Sequence, residues 1–183
     1  MLEQNLFAGF GGQGMLLIGQ FLAQAGMMEG KYVSWLPSYG PEMRGGTANC
    51  YVVISDDPVG APKVNQADYV VCLNDTSMAK FKDAVVPGGA IFTNSSVVTI
   101  EPTRDDIHVV KVDAGSIAIE LGNPKVLNLV IVGAIIGYTE ILPAENVLQT
   151  AFKKLGAKRP ELNPLNEKAF RRGWEIGHAA KQG

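Results

Sequence analysis

Asn5 to Gly9 is a short apolar run that enters Gly9-Phe10-Gly11-Gly12-Gln13-Gly14, after which Met15 to Glu29 has the length and composition of a helix. Leu16, Leu17, Ile18, Phe21, Leu22 and Ala25 lie nearly all round that helix, which predicts burial on more than one side. Gly30 ends it, and Lys31 to Leu36 reads as a second strand. The first stretch is therefore a βαβ unit with a right-handed crossover and two parallel strands, taken to be neighbours.

Only the turn-rich segment Pro37 to Gly46 precedes the next strand, Thr47 to Ser55. Parallel neighbours need a connection of a dozen residues or more, so a hairpin-like or displaced antiparallel strand is expected here. Ala48, Cys50, Val52 and Ile54 share one face of it, predicted to be the buried one. Asp68 to Leu73 is a further strand, and Asp75 is positioned to cap a helix from Thr76 to Ala84. Pro87-Gly88-Gly89 predicts a turn into the strand Ala90 to Thr93, followed by a strand over Ile107 to Val112. Helices are then predicted over Ser116 to Leu121, from near Pro124 to near Ile141, over Pro143 to Leu155 and after Asn163-Pro164. Within them, Leu129 to Gly137 is an unbroken apolar run, well short of the ~20 residues needed to span a bilayer. It is predicted to be a buried helix.

The pattern gives the α/β class: a Rossmann-like three-layer sandwich with a mostly parallel sheet, an added antiparallel or hairpin strand after the second strand, and a helical C-terminal third. No linker, repeat or low-complexity tract interrupts it, so residues 1–183 are expected to form one domain.

Charge narrows the function. Sixteen basic against eighteen acidic residues leave a formal net charge of −2, without the basic excess of a phosphate-backbone binder, so no nucleic-acid partner is expected. No membrane partner is expected either. Two cysteines and two histidines show no zinc spacing and fall short of four cluster thiolates, so no metal site is predicted. The N-terminus lacks a secretory pattern, which makes a reducing cytoplasm the expected compartment. Cys50, Cys72, His108 and His178 read as structural, and Lys168, Arg171 and Arg172 as a solvated helix face.

Glycine is enriched, with 21 residues, and the sharpest local signal is the first glycine turn. Gly9, Gly11 and Gly14 satisfy G-x-G-x-x-G between a strand and a helix, where bare backbone N–H groups approach an anion at the positive helix end. The alternative is a tight turn that binds nothing. Gln13 adds a donor and an acceptor at its mouth. The dinucleotide version of this motif needs an acidic residue at the end of the second strand, but that place reads Ser34-Trp35-Leu36-Pro37, and Glu29 lies before the strand. A simple NAD-dependent dehydrogenase therefore loses most of its support. A second candidate loop, Ser38-Tyr39-Gly40-Pro41-Glu42-Met43-Arg44-Gly45-Gly46, leaves a strand end at the same sheet edge. Its Arg44 suits a phosphate or carboxylate, with Glu42 orienting it. No nucleophile elbow, Walker lysine or metalloprotease helix is present.

Two strings, Gly9-Phe-Gly-Gly-Gln-Gly14 and Val33-Ser-Trp-Leu-Pro-Ser-Tyr-Gly-Pro-Glu-Met-Arg-Gly-Gly-Thr-Ala-Asn-Cys50, carry a resemblance covering almost the whole chain. The sequence resembles the gamma subunit of the 2-oxoacid:ferredoxin oxidoreductases, and the 2-oxoglutarate and branched-chain (2-oxoisovalerate) members more than the pyruvate ones. The resemblance implies oxidative decarboxylation shared among several chains: a 2-oxoacid and coenzyme A become an acyl-CoA and carbon dioxide while ferredoxin is reduced. It implies alpha, beta and possibly delta (ferredoxin-like) partners. It also implies thiamine diphosphate, Mg2+ and iron–sulfur clusters held mainly by those partners, and a gamma domain that helps form the coenzyme A approach. The candidate binding residues are then Gly11, Gly12, Gln13, Gly14, Ser38, Tyr39, Gly40, Glu42, Arg44, Gly45 and Gly46, with no catalytic residue and no cofactor held by this chain alone. Two other readings stay open: a stand-alone dinucleotide-binding oxidoreductase, and an assembly scaffold whose glycines serve only close packing.

Overall fold

The computed structural model describes residues 1–39 and 46–183, without the Tyr39 side chain; Gly40, Glu42, Arg44 and Gly45 lie outside the described residues. Six strands form one sheet: β1 (Leu2–Phe10), β2 (Tyr32–Tyr39), β3 (Thr47–Ser55), β4 (Ala67–Cys72), β5 (Val85–Asn94) and β6 (His108–Val112). The helices are α1 (Met15–Met28), α2 (Asp75–Phe81), α3 (Ala114–Glu120), α4 (Leu127–Thr139), α5 (Ala144–Leu155) and α6 (Asn163–Gln182).

The strand order is β2-β3-β1-β4-β5-β6, with β3 antiparallel to both neighbours and the β1–β4, β4–β5 and β5–β6 pairs parallel. The antiparallel strand after the second one is as anticipated, but β2 is not the neighbour of β1. β3 inserts between them, with Leu6 paired to Tyr51 and Tyr51 in turn to Leu36. β3, buried on both faces from Val52 to Ser55, takes the interior place with two hydrogen-bonded ladders, and β2, none of whose described side chains is buried, takes the edge.

Two local expectations change as well. Asn74, not Asp75, caps α2: its side chain accepts from Ser77 N–H at 2.8 Å, while Asp75 accepts from Thr99 N–H at 2.7 Å and Ile100 N–H at 2.9 Å. Pro87 and the two following glycines lie inside β5, where the register against β4 shifts between Ala67 and Tyr69. The strand bulges there instead of beginning after a turn.

The main core lies on the face carrying Phe7, Cys50, Val52 and Val71, against α1 and the C-terminal helices. Leu129 to Gly137 of α4 is buried throughout, which explains why no polar face breaks that run. The opposite face carries a smaller core of Leu6, Val53, Val70 and Ile91 beneath α2. Helices α4 and α6 touch backbone to backbone. Gly133 and Gly137 on α4 face Gly173 and Gly177 on α6, and a Cβ on Gly133 would come within 2.8 Å of Trp174 N. No described helix is long and apolar enough to cross a membrane.

Glu3 enters β1 with its Oε1 buried and without a hydrogen-bond partner among the described residues. Burial first, and then the Asp68 charge, push its carboxyl from near 4.5 up to about 8, against a lowering bond from Asn5. Between those values the folded chain holds a proton that the unfolded chain has released, so folding stability falls as pH rises through the window. Glu3→Gln is expected to flatten that slope in denaturant titrations between pH 5 and about 8. An unchanged slope would reject the assignment.

Candidate functional site

The glycine turn closes the carboxyl end of β1. Gly12 and Gly14 adopt positive φ, 95° and 84°, a conformation that favours residues without a Cβ. Gly9 serves a different end: a Cβ there would lie 2.9 Å from Gln13 Oε1, so its bareness lets the Gln13 side chain fold back over the strand. Gln13 Oε1 accepts from Phe10 N–H at 2.7 Å and from Asn74 Nδ2 at 2.8 Å, while its Nε2 donates to Leu73 O at 3.1 Å. One side chain thus staples the turn to the end of β4 and to the residue that caps α2. The donor and acceptor anticipated at the mouth of the turn are spent on holding its shape.

Gly14 is the N-cap of α1 and supplies no side-chain cap, and no acidic residue occupies the first turn. The N–H groups of Met15, Leu16 and Leu17 therefore have no carbonyl one turn earlier, and among the described residues no side chain compensates the positive end of the helix. A recess of about 410 Å³, lined by Gly11, Gly12, Gly14, Leu16, Leu17 and Gln20, opens there. Gly11 N–H donates to Gly46 O at 3.0 Å, so the first turn meets the end of the second loop. Ser38 immediately precedes Tyr39, where the first described stretch ends, and is paired in register with Asn49.

A second recess, about 360 Å³, lies on the other side of Gly12. Its walls are Gln13 after β1, Leu73 after β4, Asn94 at the end of β5, and Lys125, Leu127 and Asn128 where α4 begins. The sheet explains the place. From β1 the chain crosses over α1 on the main-core face, and from β4 it crosses over α2 on the opposite face, so β1 and β4 diverge at a topological switch point. A crevice outside their carboxyl ends follows from that topology.

Asn128 links the recess to the turn. Its side chain lies against Gly14, where a Cβ would fall 2.7 Å from Asn128 Cγ, and its Oδ1 is buried with no partner among the described residues. An orphan acceptor inside a recess suits a ligand N–H or O–H group. Lys125 is the one cation among the described residues lining either recess. Together they can hold an anionic ligand bearing amide or hydroxyl donors. Lys125, Asn94 and Asn128 were not among the residues singled out from the sequence. The visible signals were Asn123-Pro124 as a helix start and Asn128 as the polar residue just before a wholly apolar run.

The cysteines do not fit a cluster. Cys50 belongs to the main core and Cys72 to the core on the opposite face of the sheet, and burial pushes both thiols up to about 12. His178 stacks on Trp174 at 4.6 Å, and Arg171 pairs with Glu145 and Glu167 at 3.0 and 2.8 Å. No group of three or more potential metal ligands occurs among the described residues.

Known proteins place this arrangement. The family model described as pyruvate ferredoxin/flavodoxin oxidoreductase matches residues 4–176. The chain is 37% identical over 168 residues to the ketoisovalerate oxidoreductase subunit VorA of Methanothermobacter thermautotrophicus, covering 92% of this chain and 35% of that protein. It is 34% identical over 179 residues to the 2-oxoglutarate synthase subunit KorC of Methanocaldococcus jannaschii, covering 96% of this chain and 94% of that one. The chain thus spans about a third of VorA and nearly all of KorC. Among solved structures, the gamma subunit of a keto/oxoacid ferredoxin oxidoreductase from Geobacter sulfurreducens superposes with a TM-score of 0.87 at 28% identity, over 98% of each chain. The 2-oxoglutarate:ferredoxin oxidoreductase of Magnetococcus marinus, with 2-oxoglutarate, coenzyme A and succinyl-CoA bound, shares the fold at a TM-score of 0.88 and 23% identity, over 97% of this chain and 31% of that one. With its family model matched nearly end to end and its fold shared with a gamma subunit, the chain belongs to the pyruvate ferredoxin/flavodoxin oxidoreductase family.

Proposed function

We propose that residues 1–183 form one domain acting as the gamma-type subunit of a cytoplasmic 2-oxoacid:ferredoxin oxidoreductase. The complex converts a 2-oxoacid and coenzyme A to acyl-CoA and carbon dioxide while reducing ferredoxin. Alpha and beta chains, with a ferredoxin-like delta chain, supply thiamine diphosphate, Mg2+ and the clusters. This chain contributes part of the coenzyme A path. The observation that carries the reading is the crevice at the switch point. A helix N-terminus without a side-chain cap or first-turn acid, Lys125, and an Asn128 Oδ1 with no partner among the described residues flank one glycine turn, in a fold shared with the Magnetococcus enzyme solved with coenzyme A. Coenzyme A offers what such walls want: phosphates for the helix end and the ammonium, amide and hydroxyl donors for Asn128. The candidate loop carrying Gly40, Glu42, Arg44 and Gly45, with Tyr39 at its base, is proposed as the outer wall, its Gly46 end being bonded to Gly11.

The test is activity with and without companions. The chain alone is expected to show no 2-oxoacid-dependent reduction of a viologen dye, and an assembly purified through a tag on it is expected to show coenzyme A-dependent reduction. Full turnover by the lone chain would overturn the proposal, as would saturable binding of NAD, NADP or FAD at cellular concentrations.

A further inference from the structure

The sheet is covered unevenly. Among the described residues, α1, α3, α4, α5 and α6 pack on the main-core face, while the opposite face carries only the seven-residue α2, seated on β4 and β1. On that second face of β2 and β3 no described helix lies. Leu36, Tyr51 and Leu6 stand side by side in one cross-strand row, yet only Leu6 is buried, and Leu36 and Tyr51 are left half-buried. At the lower end of the same face Tyr32 is 51% exposed. A groove of about 370 Å³ runs beside it, lined by Tyr32, Ser34, Pro58, Val59 and Pro62.

No charged residue occurs in β2 or β3. Edge strands that must stay free in water are usually guarded by charge, and an uncharged, half-apolar face beside such an edge is the mark of a surface meant to be covered. Among the described residues, a nucleic acid or an anionic lipid surface finds no cation in the two strands or the groove lining. VorA points to an occupant of the right kind: the segment matching this chain makes up 35% of that polypeptide, so that relative carries a further body, nearly twice the size, tethered to the unit.

We infer that the open face of β2 and β3 is the docking surface for the polypeptide corresponding to that further body of VorA. The inference rests on the subunit role proposed above. It adds which surface is used and the chemistry of the partner: an uncharged, partly apolar protein surface that pairs Leu36 and Tyr51 with side chains and Ser34 with hydrogen bonds.

Hydrogen exchange on the tagged assembly against the isolated chain tests it, together with Tyr51→Lys and Ser34→Glu and a control charge, Gln149→Glu, on α5. Amides of β2 and β3 are expected to exchange at least tenfold more slowly in the assembly. The two face variants, with melting points near that of the parent, are expected to bind the companion at least tenfold more weakly, and the control to bind unchanged. Unchanged exchange together with full-strength assembly of both variants would overturn the surface assignment alone. A wild-type chain that recovers no companion at all would instead overturn the subunit role and this inference with it. A concentration-dependent homodimer dissolved by the same variants would overturn the occupant, naming a second copy in its place.

Discussion

Gly133→Ala is expected to destabilise the chain by about 3 kcal/mol, at the upper end of what overpacking costs, and to lower the midpoint of thermal unfolding by roughly 6–12 °C for a domain of this size. The reason is geometric. The α4–α6 contact has no side chains in its centre: Gly133 and Gly137 present bare backbone to Phe170 and Trp174, and Gly173 and Gly177 do so to Val130 and Ala134. A methyl on Gly133 would meet the Phe170 carbonyl and Trp174 N–H, which cannot swing aside as a flexible side chain does. The helices must separate, loosening the seat of Phe170, one of the largest fully buried side chains. Gly30→Ala is the control. Gly30 has φ of 71° and open space where a Cβ would go, so it carries only the left-handed penalty of about 1 kcal/mol. Urea titration of both variants checks the pair, and equal losses would contradict the close helix contact.

The second large effect is expected at Gln13. Gln13→Leu removes three bonds at once and leaves Phe10 N–H, Asn74 Nδ2 and Leu73 O facing an apolar side chain. The loss of stability is expected to be about 2–3 kcal/mol, because part-buried polar groups are left unmet. The loss of function follows from position. The same side chain fixes Gly11, Gly12 and Gly14 relative to β4, so the crevice loses one wall, and the KM for coenzyme A in the assembled enzyme is expected to rise at least tenfold. Gln13→Glu keeps the acceptor for Phe10 and Asn74 but sets a carboxylate against the Leu73 carbonyl, and is expected to fall between. A leucine variant with parental KM would mean that the turn holds its shape without the staple.

The strands and helices were legible because burial leaves a mark on local sequence. Ala48, Cys50, Val52 and Ile54 are buried on the face their spacing marked, although Val53 and Ser55 are buried on the other face as well, and α4 is apolar all round because neighbours enclose it. The antiparallel sense of β3 was legible too, since ten residues are too short for a crossover. Its place between β1 and β2 was not, because strand order is decided by which ladders close, and no single segment carries that information. The same limit applies to the site. Gly12, Gln13 and Gly14 stand together in sequence and announce themselves, whereas Asn94, Lys125 and Asn128 come from the ends of separate elements that only the switch point brings together. Taken singly, each looks like an ordinary loop or helix-start residue. The facing glycines at 133, 137, 173 and 177 show the four-residue spacing in each helix, but nothing in either helix names the other as its partner.

The claim on which the account turns is that this crevice handles coenzyme A for a reaction completed by companion chains. Steady-state kinetics of the purified assembly carrying Lys125→Ala test it most directly. Removing the recess's ammonium is expected to raise the KM for coenzyme A at least tenfold while leaving the KM for the 2-oxoacid unchanged. A variant assembly with the parental KM for coenzyme A, or with the defect in the 2-oxoacid instead, would contradict it.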